Sequence, residues 1–428
     1  MGRSPRKRTI VEKGLPMRSE GELMLGGLLR ANHLTVLEHL PGVITEHVSQ
    51  AGFADPVVYV TDLQQQLLVP LPGQWDADGG PLQPLRIDTT LAGRAFRGVE
   101  VVRSRVTSGS ADDSPEPGEG EAQRWWVPLL DGAERVGVLG VTVTEGEELA
   151  EWRATKLASL IAVLVMSKRP QSDSYARVVR TRPMTLSAEV LMTLLPPGTC
   201  ANDDVVVSAA LEPAYEVGGD IFDYAIDGDM LHLAIFDAMG HDTSAALTAT
   251  IAVSACRNHR RQGADLPATG EAIDAAIAEQ FVGQFATGVL AGLNLRTGWL
   301  SWVNRGHHPP LVLRAGRWVA TLSSEPDPPM GFRLSPSTGL LGYQLQPGDR
   351  VLFYTDGIIE AQSPDGEVFG LERFIDFIIR HETDGLAAPE TLRRLIQTIL
   401  KHQRGRLQDD ASVLLVEWRS LREQRLTL

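Results

Sequence analysis

Between residues 20 and 52, apolar positions recur at helical spacing through "ELMLGGLLRANHLTVLEHLPGVITEHV". The next run, "PVVYVTDLQQQLLVPLPG", is rich in β-forming residues, so a helix leading into a strand is predicted. Further along, "RWWVPLLDGAERVGVLGVTV" (124–143) predicts two strands around a turn at Asp131 and Gly132, and "EELAEWRATKLASLIAVLVMSKR" (147–169) predicts a closing helix. The intervening "TSGSADDSPEPGEGEAQ" (107–123) holds too little apolar surface to offset the entropy of ordering and predicts a flexible loop. A second break at "SKRPQSDSY" (167–175) precedes "RPMTLSAEVLMTLLPPG" (182–198), an amphipathic helix stopped by Pro196 and Pro197.

From residue 203 the pattern changes. Strongly apolar runs end repeatedly in acid and glycine: "DDVVVSAALEPAYEVGGD", "MLHLAIFDAMG", "DRVLFYTDG" and, in reversed order, "QDDASVLLVEW". Each places an aspartate at a strand terminus, where glycine permits close backbone approach and side chains from several strands can converge on one sheet edge. Asp220, Asp237, Asp356 and either Asp409 or Asp410 are the candidates. Single Asp-Gly pairs such as Asp227-Gly228 and Asp365-Gly366 read as ordinary turns; the recurrence of acid beside apolar strands is what sets the four apart. Carboxylates brought together repel and rise in pKa unless cations compensate them. Oxygen-only donors with no neighbouring cysteine select hard ions, Mg²⁺ or Mn²⁺, and a shared carboxylate can bridge two ions about 3.5 to 4 Å apart and activate water.

Composition narrows the setting. A chain of 428 residues with 43% hydrophobic and 22% charged residues is expected to fold as two or three globular domains. A net charge of -14 argues against general nucleic-acid binding, and the basic segment at 1–19 (Arg3, Arg6, Lys7, Arg8, Lys13, Arg18) reads as a solvated arm. Two cysteines, Cys200 and Cys256, make neither a disulfide framework nor a zinc site, which fits a reducing, cytoplasmic setting. The apolar run 157–166 is about half the length needed to cross a bilayer, so no membrane association is expected and the run reads as part of a buried helix.

The order of elements over 20–168, with "IDTTLAGRAFRGVE" and "VPLLDGAERVGVLGV", resembles a GAF domain, which implies a sensory or dimerisation module. Residues 203–418 resemble the catalytic domain of the PPM family of metal-dependent protein serine/threonine phosphatases, in its SpoIIE-type branch. The motifs are "EPAYEVGGDIFDY", "IFDAMGHDTSAALTAT", "FATGVLAGLNLRTGWLSWVNRGHHPPLVL", "PPMGF", "LQPGDRVLFYTDGIIEAQSPDGEVFGLERF" and "DDASVLLV", in family order. The fold implied is α+β: a PPM-type αββα sandwich of two antiparallel sheets flanked by helices, preceded by the GAF-like α/β domain. The expected organisation is a basic N-terminus at 1–19, the GAF-like domain at 20–168, a linker with a helix at 169–202 and the phosphatase domain at 203–420.

The resemblance further implies that Asp237 bridges two divalent cations, Mn²⁺ or Mg²⁺, with the carbonyl of Ala238 on one of them. It implies that Asp220 acts through a metal-bound water, and that Asp356 and Asp409 complete the other site, Asp409 being preferred to Asp410. Ala238 stands where the family has glycine, so a Cβ could restrict φ and crowd a metal, and Asp242 stands where it has another glycine and reads as the cap of the following helix. His241, His307 and His308 invite a general-acid role, but His307 and His308 fall in a region that is usually a structural turn; Arg305 is the one candidate phosphate clamp. The substrate class implied is a phosphorylated STAS-domain anti-anti-sigma factor, with homodimerisation through the GAF-like domain and linker helix. The rival reading is a phosphatase-like module that binds a phosphoprotein without hydrolysing it.

Overall fold

The computed structural model describes residues 20–76, 78–105, 122–143, 148–213, 215–216, 218–325, 327–336, 339–405 and 407–419. The basic arm at 1–19 and nearly all of the loop expected at 107–123 lie outside them; the last residue of that loop, Gln123, opens a strand. The chain divides into two compact units.

The first unit is built on helices α1 (Glu20–Ala31) and α2 (Leu40–Val48), strands β1 (Phe53–Thr61), β2 (Leu67–Pro70) and β3 (Leu85–Arg86), helix α3 (Leu91–Gly98), strands β4 (Val102–Arg105), β5 (Gln123–Asp131) and β6 (Glu134–Val143), and helices α4 (Glu148–Lys168) and α5 (Asp173–Val179), although Thr61–Leu67, Leu130–Arg135 and Val179 at the ends of these elements belong to the second unit. Its sheet runs β3-β2-β1-β6-β5-β4. The turn expected at Asp131 and Gly132 joins β5 to β6, with Gly132 in the left-handed region at φ 58°. Along α4, Ala154, Leu157, Ala158, Ile161, Ala162 and Val165 are fully buried at positions that form one helical stripe, so that stripe of the apolar run at 157–166 is core while Val163 faces out. Among the described residues no helix is long and apolar enough to cross a membrane.

The second unit starts from the segment expected to link the halves. Residues from Val179 onward belong to it, including α6 (Leu186–Leu194), whose N-cap Thr185 accepts from the Ala188 N–H, and strand β7 (Thr199–Ala201). The rest comprises β8 (Val205–Glu212), β9 (Asp220–Asp227), β10 (Met230–Ala238), α7 (Thr243–Arg261), α8 (Leu266–Gln280), β11 (Ala286–Asn294), β12 (Trp299–Arg305), β13 (Leu311–Arg314), β14 (Arg317–Thr321), β15 (Leu341–Gln344), β16 (Arg350–Tyr354), α9 (Asp356–Ile359), α10 (Leu371–Thr383), α11 (Ala388–His402) and β17 (Ala411–Trp418). Two sheets result, ordered β15-β12-β11-β10-β9 and β14-β13-β16-β17-β8-β7, with neighbouring strands antiparallel.

Period-two alternation decides the layering. On β16 and β17, Val351, Phe353, Leu414, Val416 and Trp418 join the core that contains Leu231, Leu233 and Ile235 of the other sheet. Their neighbours Leu352, Tyr354, Val413 and Leu415 face the opposite way and pack with Phe374, Ile375 and Ile378 of α10 and Leu392 and Leu395 of α11. On the five-stranded sheet, α7 supplies Ala245, Ala249, Ala252, Val253 and Cys256, a small-residue face that lets the helix lie close to the strands. The result is helix, sheet, sheet, helix, as the α+β reading expected.

Trp418 anchors the space between the sheets: it is 1% exposed, and its indole N–H donates to the Leu295 carbonyl at 2.8 Å. Trp418→Ala removes both packing and a satisfied donor. We expect a loss of about 3–5 kcal/mol, measured as a lower urea midpoint at unchanged m-value.

Candidate metal centre

β9 and β10 are joined through Gly228 (φ 57°), and their register sets Asp220 directly opposite Asp237. Like charges on one rung of a ladder are destabilising, and here both residues lie at the end of the sheet. The six-stranded sheet brings its acids to the same place. Asp356 follows β16 by two residues, Asp409 and Asp410 immediately precede β17, and β16 pairs with β17 so that Tyr354 faces Val413.

Direct hydrogen bonds stitch the two sheets at this edge. Asp410 Oδ2 accepts from the backbone N–H groups of Gly218, Gly219 and Asp220 at 2.8, 2.7 and 3.1 Å. The Thr355 hydroxyl donates to Asp220 Oδ2 at 2.7 Å and accepts from the Ser412 N–H at 2.9 Å. Two glycines make the approach feasible. A Cβ on Gly219 would sit 2.5 Å from the Ala238 carbonyl oxygen, and one on Gly357 would sit 1.9 Å from that of Asp410. The glycine beside each acid is therefore required by crowding between segments.

The electrostatics record how closely the acids meet. Burial, followed by the charges of Asp237 and Asp410, raises Asp220 well above the usual carboxylate range. Asp237 is pushed up to about 7 by burial and then by Asp356, Asp409 and Asp410. Asp409, exposed at the rim but partly desolvated by its surroundings, is raised by that desolvation and then by Asp356. Asp410 is raised by burial, against the lowering effect of its three backbone donors. The structure thus gathers Asp220, Asp237, Asp356, Asp409 and Asp410 at one edge and gives the last two different roles: Asp409 faces Asp356, while Asp410 binds backbone.

Ala238 needs no special backbone conformation. It pairs with Ala286 in the ladder, and the left-handed residue of this turn is Gly240 (φ 94°), so the Cβ expected to restrict φ is accommodated. Asp242 caps α7, accepting from the N–H groups of Ser244 and Ala245 at 2.9 and 3.0 Å. Arg305 is buried, donates from Nε to the Pro328 carbonyl and lies against Gly270, which is the setting of a structural residue and not of a phosphate clamp. His307 is likewise held, Nδ1 against the Thr287 hydroxyl at 2.8 Å and Nε2 against the Tyr354 carbonyl at 3.1 Å. Burial, assisted by His308, lowers it to about 3, so it stays neutral. His241 is exposed and close enough to Asp409 to lower that carboxyl.

Thr355 was not singled out by pattern, although a hydroxyl directly after an apolar strand and before an acid was its signal. Nor was Glu360, which stands four residues after Asp356.

Residues 227–419 match the family described as Stage II sporulation protein E, SpoIIE. That part of the chain is similar to a SpoIIE-type domain. It is homologous to the SpoIIE and RsbU phosphatase domains and, more broadly, to PPM serine/threonine phosphatases. A relative named protein IcfG, from Synechocystis, is 24% identical over 243 residues, which span 50% of this chain and 38% of that protein. Phosphoserine phosphatase RsbU from Bacillus subtilis is 23% identical over 252 residues, spanning 54% of this chain and 68% of RsbU. A solved structure of the RsbU and RsbW domains of a Mycobacterium tuberculosis protein is 26% identical with a TM-score of 0.43, covering 50% of this chain and 60% of that one.

In the metal-free SpoIIE-type domain, the raised Asp220 and Asp237 keep protons that the unfolded chain releases in the ordinary carboxylate range. Stability therefore falls as pH rises from that range through about 7 and stays lowered above it. In EDTA we expect Tm to drop from about pH 5 to about pH 8, and Asp237→Asn to remove much of that drop. Calorimetric scans of both proteins across this window check it.

Proposed function

We propose that the protein is a metal-dependent phosphatase that hydrolyses phosphoserine or phosphothreonine on another protein. The observation that supports this is the convergence of Asp220, Asp237, Asp356 and Asp409 from two sheets on one edge, where burial and neighbouring carboxylates raise the pKa values of Asp220, Asp237 and Asp409. Such an all-oxygen, charge-crowded set fits hard divalent cations, Mn²⁺ or Mg²⁺. Asp237 would be shared by two cations, with the Ala238 carbonyl on one; Asp356 and Asp409 would complete the other site, and Asp220 would act through water. Asp409 is the better ligand of its pair because Asp410 is committed to three backbone donors.

When bound, the ions would offset charge on the phosphoryl oxygens and lower the pKa of an attacking water. The chain's own part is to hold the carboxylates at fixed spacing, with Asp220 kept in place by the Thr355 hydroxyl. His241, exposed and near enough to Asp409 to lower that carboxyl, would exchange a proton with the departing side-chain oxygen.

Sigma-factor regulation is the setting that homology to RsbU and SpoIIE supports. A phosphorylated STAS-domain protein is our proposed substrate, met in the cytoplasm. We propose that the first unit is a GAF-like sensor and that the protein is a homodimer through that unit and α6. Within the second unit, α6 is connected to the catalytic strands. Arg257 of α7 donates to the Leu194 carbonyl at the end of α6 and to Asp223 of β9, three residues after Asp220.

Purified protein with Mn²⁺ should release phosphate from a phosphoserine peptide. Asp237→Asn and Asp409→Asn should lower kcat/KM on the order of a hundredfold or more, while Asp410→Asn should chiefly lower thermal stability. Equal rates for wild type and Asp237→Asn would leave a phosphoprotein-binding module as the better reading.

A further inference from the structure

The carboxylate edge continues into an apolar surface to which the hydrolysis itself assigns no part. The Met239 N–H donates to the Phe285 carbonyl at 3.0 Å, which carries the pairing of β10 with β11 one residue beyond Ala238 and Ala286. Side chains alternate along such a pair, so Met239 and Phe285 share the face of Asp237 and lie one row further out, about 7 Å along the strand. The buried Ala238 and Ala286 face the other way. On the far side of β11, Met330 exchanges two backbone hydrogen bonds with Ala286, and the Phe332 ring lies against Phe285 with centroids 5.2 Å apart and planes at 33°. Met239 is 40% exposed and Phe332 45%.

Phe332 is held toward solvent by a tightly fixed backbone. One oxygen of the buried Asp274 carboxylate on α8 accepts from three successive N–H groups, those of Gly331, Phe332 and Arg333, at 2.6, 3.0 and 3.0 Å. Gly331, at φ 124°, passes so close to its neighbour that a Cβ would come 2.5 Å from the Gln284 carbonyl oxygen, and Arg333 is left-handed at φ 55°. An aromatic ring left nearly half open gains little from such a backbone, because ordering a loop costs conformational entropy that fuller burial would offset.

We propose that Met239, Phe285 and Phe332 form an apolar subsite that takes an aliphatic or aromatic side chain of the phosphoprotein substrate. The proposal rests on the phosphatase reading and adds a sequence preference to it. The occupant is the substrate because the row begins two residues from Asp237, within reach of a chain whose phosphorylated residue sits at that edge. An extended chain advances about 3.3–3.6 Å per residue, so the side chain that meets Phe332 stands about three residues from the phosphoserine. The carboxylate edge reads the phosphoryl group, and this surface reads what flanks it: a preordered ring supplies a fixed anchor, and the flexible thioether of Met239 fits around the incoming side chain.

Equilibrium binding of the full chain, with Mn²⁺, to two fluorescent peptides tests it. Both peptides carry a non-hydrolysable phosphonate in place of phosphoserine; one has leucine and the other serine three residues to either side. We expect wild type to prefer the leucine peptide about fivefold or more, Phe332→Ala to bring the two affinities together, and Phe332→Leu to keep most of the preference. Phe332→Asp should shift the preference to a third peptide with lysine at those positions, a change that a merely structural role of the ring does not produce. Each protein is read as a ratio of affinities, so an unfolded fraction cancels. Equal affinities in wild type, or an unchanged preference in Phe332→Ala, would overturn the subsite. So would a Phe332→Asp protein whose oligomeric state changes while its preference does not, which assigns the surface to a contact between copies. Failure of the phosphatase reading is separate: wild type then releases no phosphate from the leucine peptide made with phosphoserine, whatever the ratio.

Discussion

The second unit depends on two sheets being drawn together at one edge by carboxylates that would otherwise push each other apart. Asp410 meets three consecutive backbone N–H groups of the other sheet, and the Thr355 hydroxyl meets Asp220 in the reverse direction. These hydrogen bonds hold a region in which burial and repulsion work against closure. The opposition is local. Away from this edge the sheets adhere through an ordinary apolar core, with Phe236, Phe353 and Trp418 among its largest fully enclosed side chains. The fold thus supplies the adhesion that lets one rim carry a concentrated negative charge, and a cation is the natural complement of that charge.

Glycine is the other half of the arrangement. At Gly219 and Gly357 the neighbouring chain passes so close that a methyl group would overlap a carbonyl oxygen. Acid and glycine recur side by side because the carboxylates converge only if the backbones that carry them can nearly touch. This gives the repeated acid-glycine punctuation a steric origin distinct from that of the turn glycines Gly228 and Gly366, which adopt positive φ in open space.

Much of this was legible in the residues. Strand termini at Asp220 and Asp237, the cap at Asp242 and the buried stripe within 157–166 all follow from periodicity and end signals that act locally, whereas Asp356 lies two residues past β16, at the start of α9. What periodicity does not carry is partnership. That Asp220 stands on the same rung as Asp237 follows from hairpin register, and that Asp410 reaches across to Gly218 joins positions nearly two hundred residues apart. Two identical adjacent letters do not by themselves separate Asp409 from Asp410; what separates them is that Asp410 accepts from the backbone of Gly218, Gly219 and Asp220. The long β-rich run after residue 55 was read as a single element, but the chain reverses between Thr61 and Leu67 to make two strands.

The rung shared by Asp220 and Asp237 has one more implication. A ladder fixes the separation of opposed residues by backbone geometry, which side-chain repacking hardly alters. Asp356 instead opens α9 and Asp409 lies two residues before β17, so neither is held opposite a partner in a ladder. The carboxylate edge accordingly has one stiff wall and one compliant wall. Evolution can retune it, for a different ion or a different pace, by altering the segments around 356 and 409 while the hairpin opposite stays as a fixed gauge.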